Sequence, residues 1–149
     1  MLLMLQHLVK HGGFKRTEYQ TEYREYFGPG GMYEGYVDSP TRMTLQTLLP
    51  LSPELFPVAS GADDDQFLSL AALPAIVATN TDNLEVLMKR VDEMVRVTNN
   101  NDLAVAAAKC SAAVLFEILN GKSMESALIG SVVFAGRKST PFPHSVCYI

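Results

Sequence analysis

The chain has 149 residues, of which 48% are hydrophobic, 19% charged and 9% aromatic. This length suits a single domain that buries about 68–70% of its unfolded surface, and the high hydrophobic and low charged content excludes an intrinsically disordered protein. Twelve basic residues against sixteen acidic ones give a formal charge of −4 and no basic surplus, so we expect no nucleic-acid partner.

The cysteines and the apolar segments predict a cytoplasmic protein. Cys110 and Cys147 are too few for a disulfide framework and lack the spacing of a zinc site, so we expect reduced thiols. The apolar start at residues 1–13 has no basic segment ahead of it and is interrupted by polar side chains, unlike a signal peptide. The longest apolar run, at residues 67–78, is too short to cross a bilayer, and we expect no membrane partner.

Helical patterns begin at the start of the chain. Apolar residues at helical spacing predict a first helix that stops at Gly12-Gly13, because glycine adopts the left-handed conformation that ends many helices. Thr17 and Gln20 form a capping-box pattern that predicts the start of a second helix. Its aromatic residues fall on one face, at Tyr19, Tyr23, Tyr26 and Phe27. The segment at residues 28–31 then breaks the helix.

The middle of the chain predicts two further helices. Ser39 followed by Pro40 is typical of a helix N-cap with proline at the first helical position, and this helix runs to about Leu48. Asp63 and Gln66 form a second capping box, which predicts that residues 67–78 are a buried helix, apolar on every side.

The last third predicts three more helices. Asp82 and Glu85 precede the clearest amphipathic stripe of the chain, and residues 103–119 form an alanine-rich helix that we expect to be buried. Ser123 predicts the start of a final short helix. Residues 131–135 carry a weak strand pattern, and the tail after them has no periodicity. The predicted fold class is all-α.

The acidic run at Asp63, Asp64 and Asp65 has two interpretations. Carboxylates are ligands that Mg²⁺ prefers, so the run could contribute to a cation site. The favoured interpretation is helix capping, because negative charge is stabilised in the first turn of a helix. Adjacent helical residues also point about 100° apart, so three in a row rarely meet at one ion.

The polar segment Thr98–Asp102 joins two helical patterns. Spacing alone favours a turn in which Asn101 or Asp102 caps the second helix. The alternative is functional, because free backbone amides at a helix N-terminus bind phosphate or a ribose hydroxyl. His7 and His11 share a helix face, and with no third ligand near them in the sequence they are predicted to be surface histidines.

Four stretches, taken in order, carry a family resemblance. The first joins LVKHGGF to the tyrosine-rich helix TEYQTEYREYFG, and the second is YEGYVDSPTRMTLQTLL. The third is SGADDDQFLSLAALPAIVA, and the fourth is VRVTNNNDLAVAAAKCSAAVLFEILNGKSMESAL. The set, which covers residues 1–130, resembles the ADP-ribosylglycohydrolase superfamily in its J-crystallin-like branch.

The resemblance implies a fold and a chemistry. Members are all-helical bundles that bind two Mg²⁺ ions, and their enzymes hydrolyse the glycosidic bond between ADP-ribose and a protein side chain or related group through metal-activated water. We therefore expect an orthogonal multi-helix bundle of the ADP-ribosylglycohydrolase type, with ADP-ribose or an ADP-ribosylated protein as partner. Residues 1–130 would form an incomplete domain of this type, and residues 131–149 a tail of uncertain structure.

The resemblance also assigns candidate substrate-binding residues. They are Gly61, Ala62, Asp63, Asp64 and Asp65, which match a loop that lines the ADP-ribose pocket, together with Thr98 and Asn99. Thr98 matches a family threonine, whereas Asn99 stands where a histidine is often found. The family's metal ligands belong to a Thr-Asp-Asp element and an Asp-x-Asp-Thr/Ser element, and neither occurs in this sequence. We therefore assign no catalytic residue and no Mg²⁺ ligand.

The resemblance and the residue pattern together give a main functional hypothesis and an alternative. The first is an ADP-ribosylglycohydrolase-like protein whose parent activity, Mg²⁺-dependent hydrolysis of ADP-ribosylated substrates, is impaired by the missing metal-ligand motifs. The alternative is a non-enzymatic protein, either a crystallin-like structural protein or a helical interaction module that uses the aromatic face of the second helix. A partial bundle leaves apolar faces exposed, which predicts self-association.

Overall fold

The computed structural model describes the backbone of residues 1–137 and the side chains of residues 1–131. Seven α-helices form in this part of the chain: α1 (Leu2–His11), α2 (Arg16–Phe27), α3 (Ser39–Leu48), α4 (Leu73–Ala78), α5 (Leu84–Thr98), α6 (Asp102–Leu119) and α7 (Met124–Arg137). Short 3₁₀ segments lie at Pro53–Leu55 and Leu68–Ala72. Within these bounds no strand occurs, which confirms the all-α prediction.

The core is centred on α5 and α6. Helix α5 carries the predicted apolar stripe, and its Leu87, Val91 and Val95 are completely buried. Helix α6 packs against α4, α5 and α7 and presents small residues to them. Ala104, Ala108 and Ala112 recur every four residues and are completely buried, so their short side chains let neighbouring helices approach closely. No helix of the described chain has both the length and the apolar character needed to cross a membrane.

The aromatic face of α2 also belongs to the core. Tyr19 and Tyr23 are each 5% exposed, and Tyr23 donates a hydrogen bond from its hydroxyl to Thr41 Oγ1 at 2.9 Å. The Phe27 ring lies 4.7 Å from that of Tyr23, measured between centroids. These side chains hold α2 against its neighbours, so the face is not free to serve as an interaction module.

Two predicted helix starts are displaced by one residue. Asp38, and not Ser39, caps α3, because its Oδ1 accepts from the backbone N–H of Thr41 at 2.8 Å. Asn83, and not Asp82, caps α5 by accepting from the backbone N–H of Glu85 and of Val86. Each actual cap is an Asx residue whose short side chain reaches the second or third helical amide.

Both predicted capping boxes in the first half are wrong. Helix α2 begins at Arg16, and Gln20 is completely buried with its Nε2 donating to Pro57 O and Ser60 Oγ, each at 2.9 Å. Asp63 caps no helix. The segment predicted as one helix over residues 67–78 begins as the 3₁₀ segment Leu68–Ala72 and becomes α-helical only at α4. Tertiary contacts outweigh the local capping signal at both places.

Helix α7 is longer than the short final helix that the sequence predicts. Ser123 Oγ accepts from the backbone N–H of Ser126 at 3.2 Å, which confirms Ser123 as its start signal. The helix then runs to Arg137, so the weak strand prediction at residues 131–135 is wrong. The remainder of the predicted tail, at residues 138–149, lies outside the described residues, and the division of the chain at residue 130 stays a prediction.

Candidate functional site

The predicted site residues meet at a junction of two loops. The segment that follows Ser60 runs alongside the segment that joins α5 to α6, and Ala62 and Asn99 form an isolated parallel bridge there. The backbone N–H of Asn100 donates to Ala62 O at 2.7 Å, and that of Gly61 donates to Arg96 O at 3.0 Å. The structure thus brings together two stretches that lie more than thirty residues apart in the sequence.

Gly61 is required by the close approach of the two backbones. A Cβ atom at this position would lie 2.4 Å from Asn99 N and 2.5 Å from Thr98 C. Real Cβ atoms do not come this close to backbone atoms, so any other residue would force the loops apart. Gly61 therefore has a packing role in this chain.

Asn99 is the buried centre of the junction. Its side chain is completely buried, and its Nδ2 donates to Gln66 O at 2.9 Å and Asp64 O at 3.4 Å. Its Oδ1 accepts from Thr98 Oγ1 at 3.1 Å. These hydrogen bonds offset the desolvation of the buried amide, and because two of them are made to the backbone of residues 64 and 66, Asn99 fixes the course of the acidic loop.

The acidic loop is held by its own hydrogen bonds. Asp63 Oδ1 accepts from Asn101 Nδ2 at 2.8 Å, and Asp64 Oδ1 accepts from the backbone N–H of Gln66 at 2.8 Å. Asp65 is exposed. Asn101 also caps α6, as predicted, by accepting from the backbone N–H of Leu103 and Ala104. The carboxylates of Asp63 and Asp64 therefore stabilise the local structure of the loop.

These residues do not fit the Mg²⁺ ions that the family resemblance implies. Among the residues whose side chains are described, the carboxylates of the acidic loop do not converge on one point, and a group of three potential ligands occurs elsewhere, with two imidazoles in it. Mg²⁺ takes oxygen ligands in near-octahedral geometry. We therefore derive no chemical step through Mg²⁺ from this chain.

A cleft lies beside the junction. It encloses about 200 Å³, and its lining includes Thr98, Asn99 and Ser69 together with aromatic residues such as Tyr33 and Tyr36. The hydroxyl of Ser69 is buried and has no hydrogen-bond partner among the described residues. Buried polar atoms are almost always paired, so an unpaired hydroxyl at a cleft is available to a ligand. The volume is below the ~300 Å³ typical of the smallest ligand pockets and suits a single ring.

Sequence analysis missed a cluster formed by His7, His11 and Glu22. The prediction that both histidines lie on the surface is wrong for His7, which is completely buried. Its Nδ1 lies 2.7 Å from Glu22 Oε2, while His11 Nε2 lies 2.9 Å from Glu22 Oε1. The signal in the sequence was the position of His7 on the same face of α1 as Met4 and Leu8, both buried.

The environment of this cluster shifts two pKa values. Burial lowers the pKa of His7, although the hydrogen bond and charge of Glu22 act in the opposite direction. Burial on its own would raise the pKa of Glu22, but hydrogen bonds from Lys10, His11 and His7 outweigh it and lower this pKa to about 2. The cluster therefore holds an ionised carboxylate beside a neutral, buried imidazole.

Comparison with known proteins identifies two crystallins as relatives. The chain is 33% identical over 135 residues to crystallin J1B and 32% identical over 136 residues to crystallin J1A, both from Tripedalia cystophora. Each alignment includes 83% of this chain but only 40% or 41% of the relative, so the chain spans about two fifths of their length. No family model matches the chain. No solved structure matches it.

Proposed function

We propose that this chain is part of a crystallin-like structural protein, with a fold of the ADP-ribosylglycohydrolase type and a cytoplasmic location. The observation that supports it best is the similarity to crystallins J1A and J1B, which extends over 83% of the chain. The helical bundle of the described residues agrees with this proposal. A structural role requires a stable and soluble fold but no reacting groups.

The geometry of the loop junction favours the structural role over hydrolysis. The side chains of Asp63 and Asp64 accept hydrogen bonds from the junction, and Asn99 stabilises the acidic loop from its buried position. These residues hold the two loops together by hydrogen bonds. The Asn99 amide cannot exchange a proton near neutral pH as the imidazole often found there in the family could.

A second candidate function is binding of ADP-ribose without turnover. The unpaired hydroxyl of Ser69 and the aromatic side chains of the cleft support it, because they offer a hydrogen-bond donor and flat apolar surfaces for one ring of a nucleotide. In this case Thr98 and Asn99, which line the cleft, would position the ligand, and the other five candidate residues would support them from the loop junction.

Thermal melts followed by helical circular dichroism distinguish the two functions. The full chain would be melted alone, with Mg²⁺, with ADP-ribose, and with both. The structural function predicts a cooperative melt that none of these ligands changes. A ligand at 100 times its Kd would stabilise the fold by about 2.7 kcal/mol, so a rise with ADP-ribose would refute a purely structural role and establish binding.

Matched serine variants locate the binding site if a rise is seen. Ser69→Ala removes the unpaired hydroxyl of the cleft and should abolish the response to ADP-ribose. Ser126→Ala removes an exposed hydroxyl of α7 and should leave the response unchanged. Equal responses from both variants would place ligand binding outside the cleft.

A further inference from the structure

Three side chains join the first two helices at a place that the candidate site does not use. His7 and His11 lie one turn apart on α1, and Glu22 projects towards both from α2. Their ligand-type atoms all lie within 4.8 Å of one another. His7 is completely buried, whereas the side chains of Glu22 and His11 are 15% and 18% exposed. Two imidazoles and one carboxylate therefore face a single small volume that solvent reaches from one side.

We propose that this cluster is a binding site for a divalent transition-metal ion, with Zn²⁺ as the representative. The ligands are His7 Nδ1, His11 Nε2 and a Glu22 carboxylate oxygen, with solvent at the remaining position. Two imidazoles and a carboxylate are a ligand set suited to Zn²⁺ and its neighbours, whereas Mg²⁺ and Ca²⁺ take oxygen ligands. This site is independent of the proposed function, because it shares no residue with the loop junction or the cleft.

Binding requires small movements that the surroundings allow. Ligand atoms around a tetrahedral ion lie about 3.3 Å apart, so Glu22 must move back from each imidazole by about half an ångström and the widest pair must close. Lys10 Nζ lies 2.8 Å from Glu22 Oε1, but its side chain is 67% exposed and can turn into solvent. His11 is the last residue of α1 and is followed by Gly12, which gives its ring room to adjust.

The tautomer of His7 must also change. Its Nε2 accepts from the backbone N–H of Lys15 at 3.0 Å, so its proton is on Nδ1, which donates to Glu22. When the metal binds to His7 Nδ1, this proton passes to Nε2. His11 Nε2 donates to the Glu22 carboxylate, so its proton likewise passes to Nδ1 when Nε2 binds the metal, and no proton is lost overall. The N–H of Lys15 then loses its acceptor. Gly12 and Gly13 precede it and have open space around them, so the loop can turn this amide towards water.

The test is titration of the full chain with zinc chloride near neutral pH by isothermal calorimetry. We expect one ion per chain, no heat of binding with Mg²⁺, and a visible absorption band of tetrahedral type when Co²⁺ replaces Zn²⁺. His11→Gln and Glu22→Gln should each weaken binding by more than the roughly 10–100-fold typical of the loss of an outer-shell partner. His144→Gln alters the third histidine of the chain and should leave the affinity unchanged.

Three results would overturn the proposal. They are no zinc binding by the unaltered chain, wild-type affinity in His11→Gln and Glu22→Gln, or loss of binding in His144→Gln. In the first two cases the cluster is an ion-pair network that fastens α1 to α2. Circular dichroism verifies the folding of each variant. If Glu22→Gln fails to fold, the zinc affinity of His11→Gln decides the test, because the side chain of His11 is partly exposed.

Discussion

The close approach at Gly61 leads to a quantitative prediction for Gly61→Ala. The new methyl carbon would lie 2.4 Å from Asn99 N, 2.5 Å from Thr98 C and 2.8 Å from Asn100 N. All three are backbone atoms, so no side chain can move aside to relieve the contact. The φ angle of Gly61 is negative, a range that alanine also adopts, so the backbone conformation does not itself require glycine. The effect of the substitution is therefore steric.

The magnitude follows from the hydrogen bonds that the separation would break. Moving the loops apart by about an ångström breaks the bonds from Asn100 N–H to Ala62 O and from Gly61 N–H to Arg96 O, and strains those of the Asn99 amide. A typical hydrogen bond contributes about 1 kcal/mol, and a buried group left unpaired costs about 1–3 kcal/mol. We therefore expect a loss of about 2–4 kcal/mol in the free energy of unfolding.

Urea unfolding followed by circular dichroism measures this loss, and Gly130→Ala is the matched control. Gly130 lies within α7, and a Cβ atom at this position would have open space around it. Alanine is favoured over glycine in a helix by about 0.8–1.0 kcal/mol, so the control should be slightly more stable than the parent chain. A free energy of unfolding for Gly61→Ala within about 0.5 kcal/mol of that of the parent chain is the range expected of unconstrained surface positions. That result would show that the two loops do not meet as described.

Three further predictions concern a hydrogen bond, a charge and a surface. Tyr23→Phe removes the buried bond to Thr41 Oγ1 and should lower the free energy of unfolding by about 1 kcal/mol in urea, whereas no change would show that water replaces it. Burial on its own would raise the pKa of Asp92, but hydrogen bonds from Lys109 and Arg96 outweigh this effect and lower the pKa. In acid the folded state therefore binds fewer protons at this site than the unfolded state, so the stability that Asp92 contributes above about pH 4 should be lost as the pH falls. Urea titrations at a series of pH values should show a shallower loss of stability for Asp92→Asn than for the parent chain, and an equal loss would contradict this. On α1, the exposed side chains of Leu2 and Leu5 form an apolar stripe with that of Val9, which is 86% exposed. Sedimentation should therefore detect self-association of the chain, and Val9→Glu should reduce it, whereas a monomer at every concentration would refute this prediction.

Sequence reasoning succeeded where the signal is local and periodic. The apolar stripe of α5 repeats at helical spacing, and Leu87, Val91 and Val95 are buried as that spacing requires. The local sequence predicts Asn101 or Asp102 as the cap of α6, and Asn101 is the residue whose side chain bonds to amides two and three residues ahead. Single residues at helix starts were less certain, since Asp38 and Ser39 are both good caps and only the course of the chain selects between them.

The parts that failed depend on contacts between distant segments. The resemblance placed Gly61 and Asn99 in one site, but nothing in their local sequence shows that the two backbones touch or that Asn99 is completely buried. Gln20 has the same explanation, because its partners belong to the loop around residues 57–60. The pairing of His7 with Glu22 requires α1 and α2 to fold back on each other, which periodicity along one helix does not specify.

The alanine row of α6, formed by Ala104, Ala108 and Ala112, limits in both directions of size what this protein can accept by mutation. Ala104, Ala108 and Ala112 have no exposed surface, and helices on several sides meet them. A larger side chain would have to displace a whole neighbouring helix, whereas glycine would give up helix propensity and leave an empty volume. Variation in a mutational library of this chain should therefore be narrowest along this row and widest along the exposed side of α5. The distance between α6 and the helices packed against it is thus determined by the smallest side chains of the core.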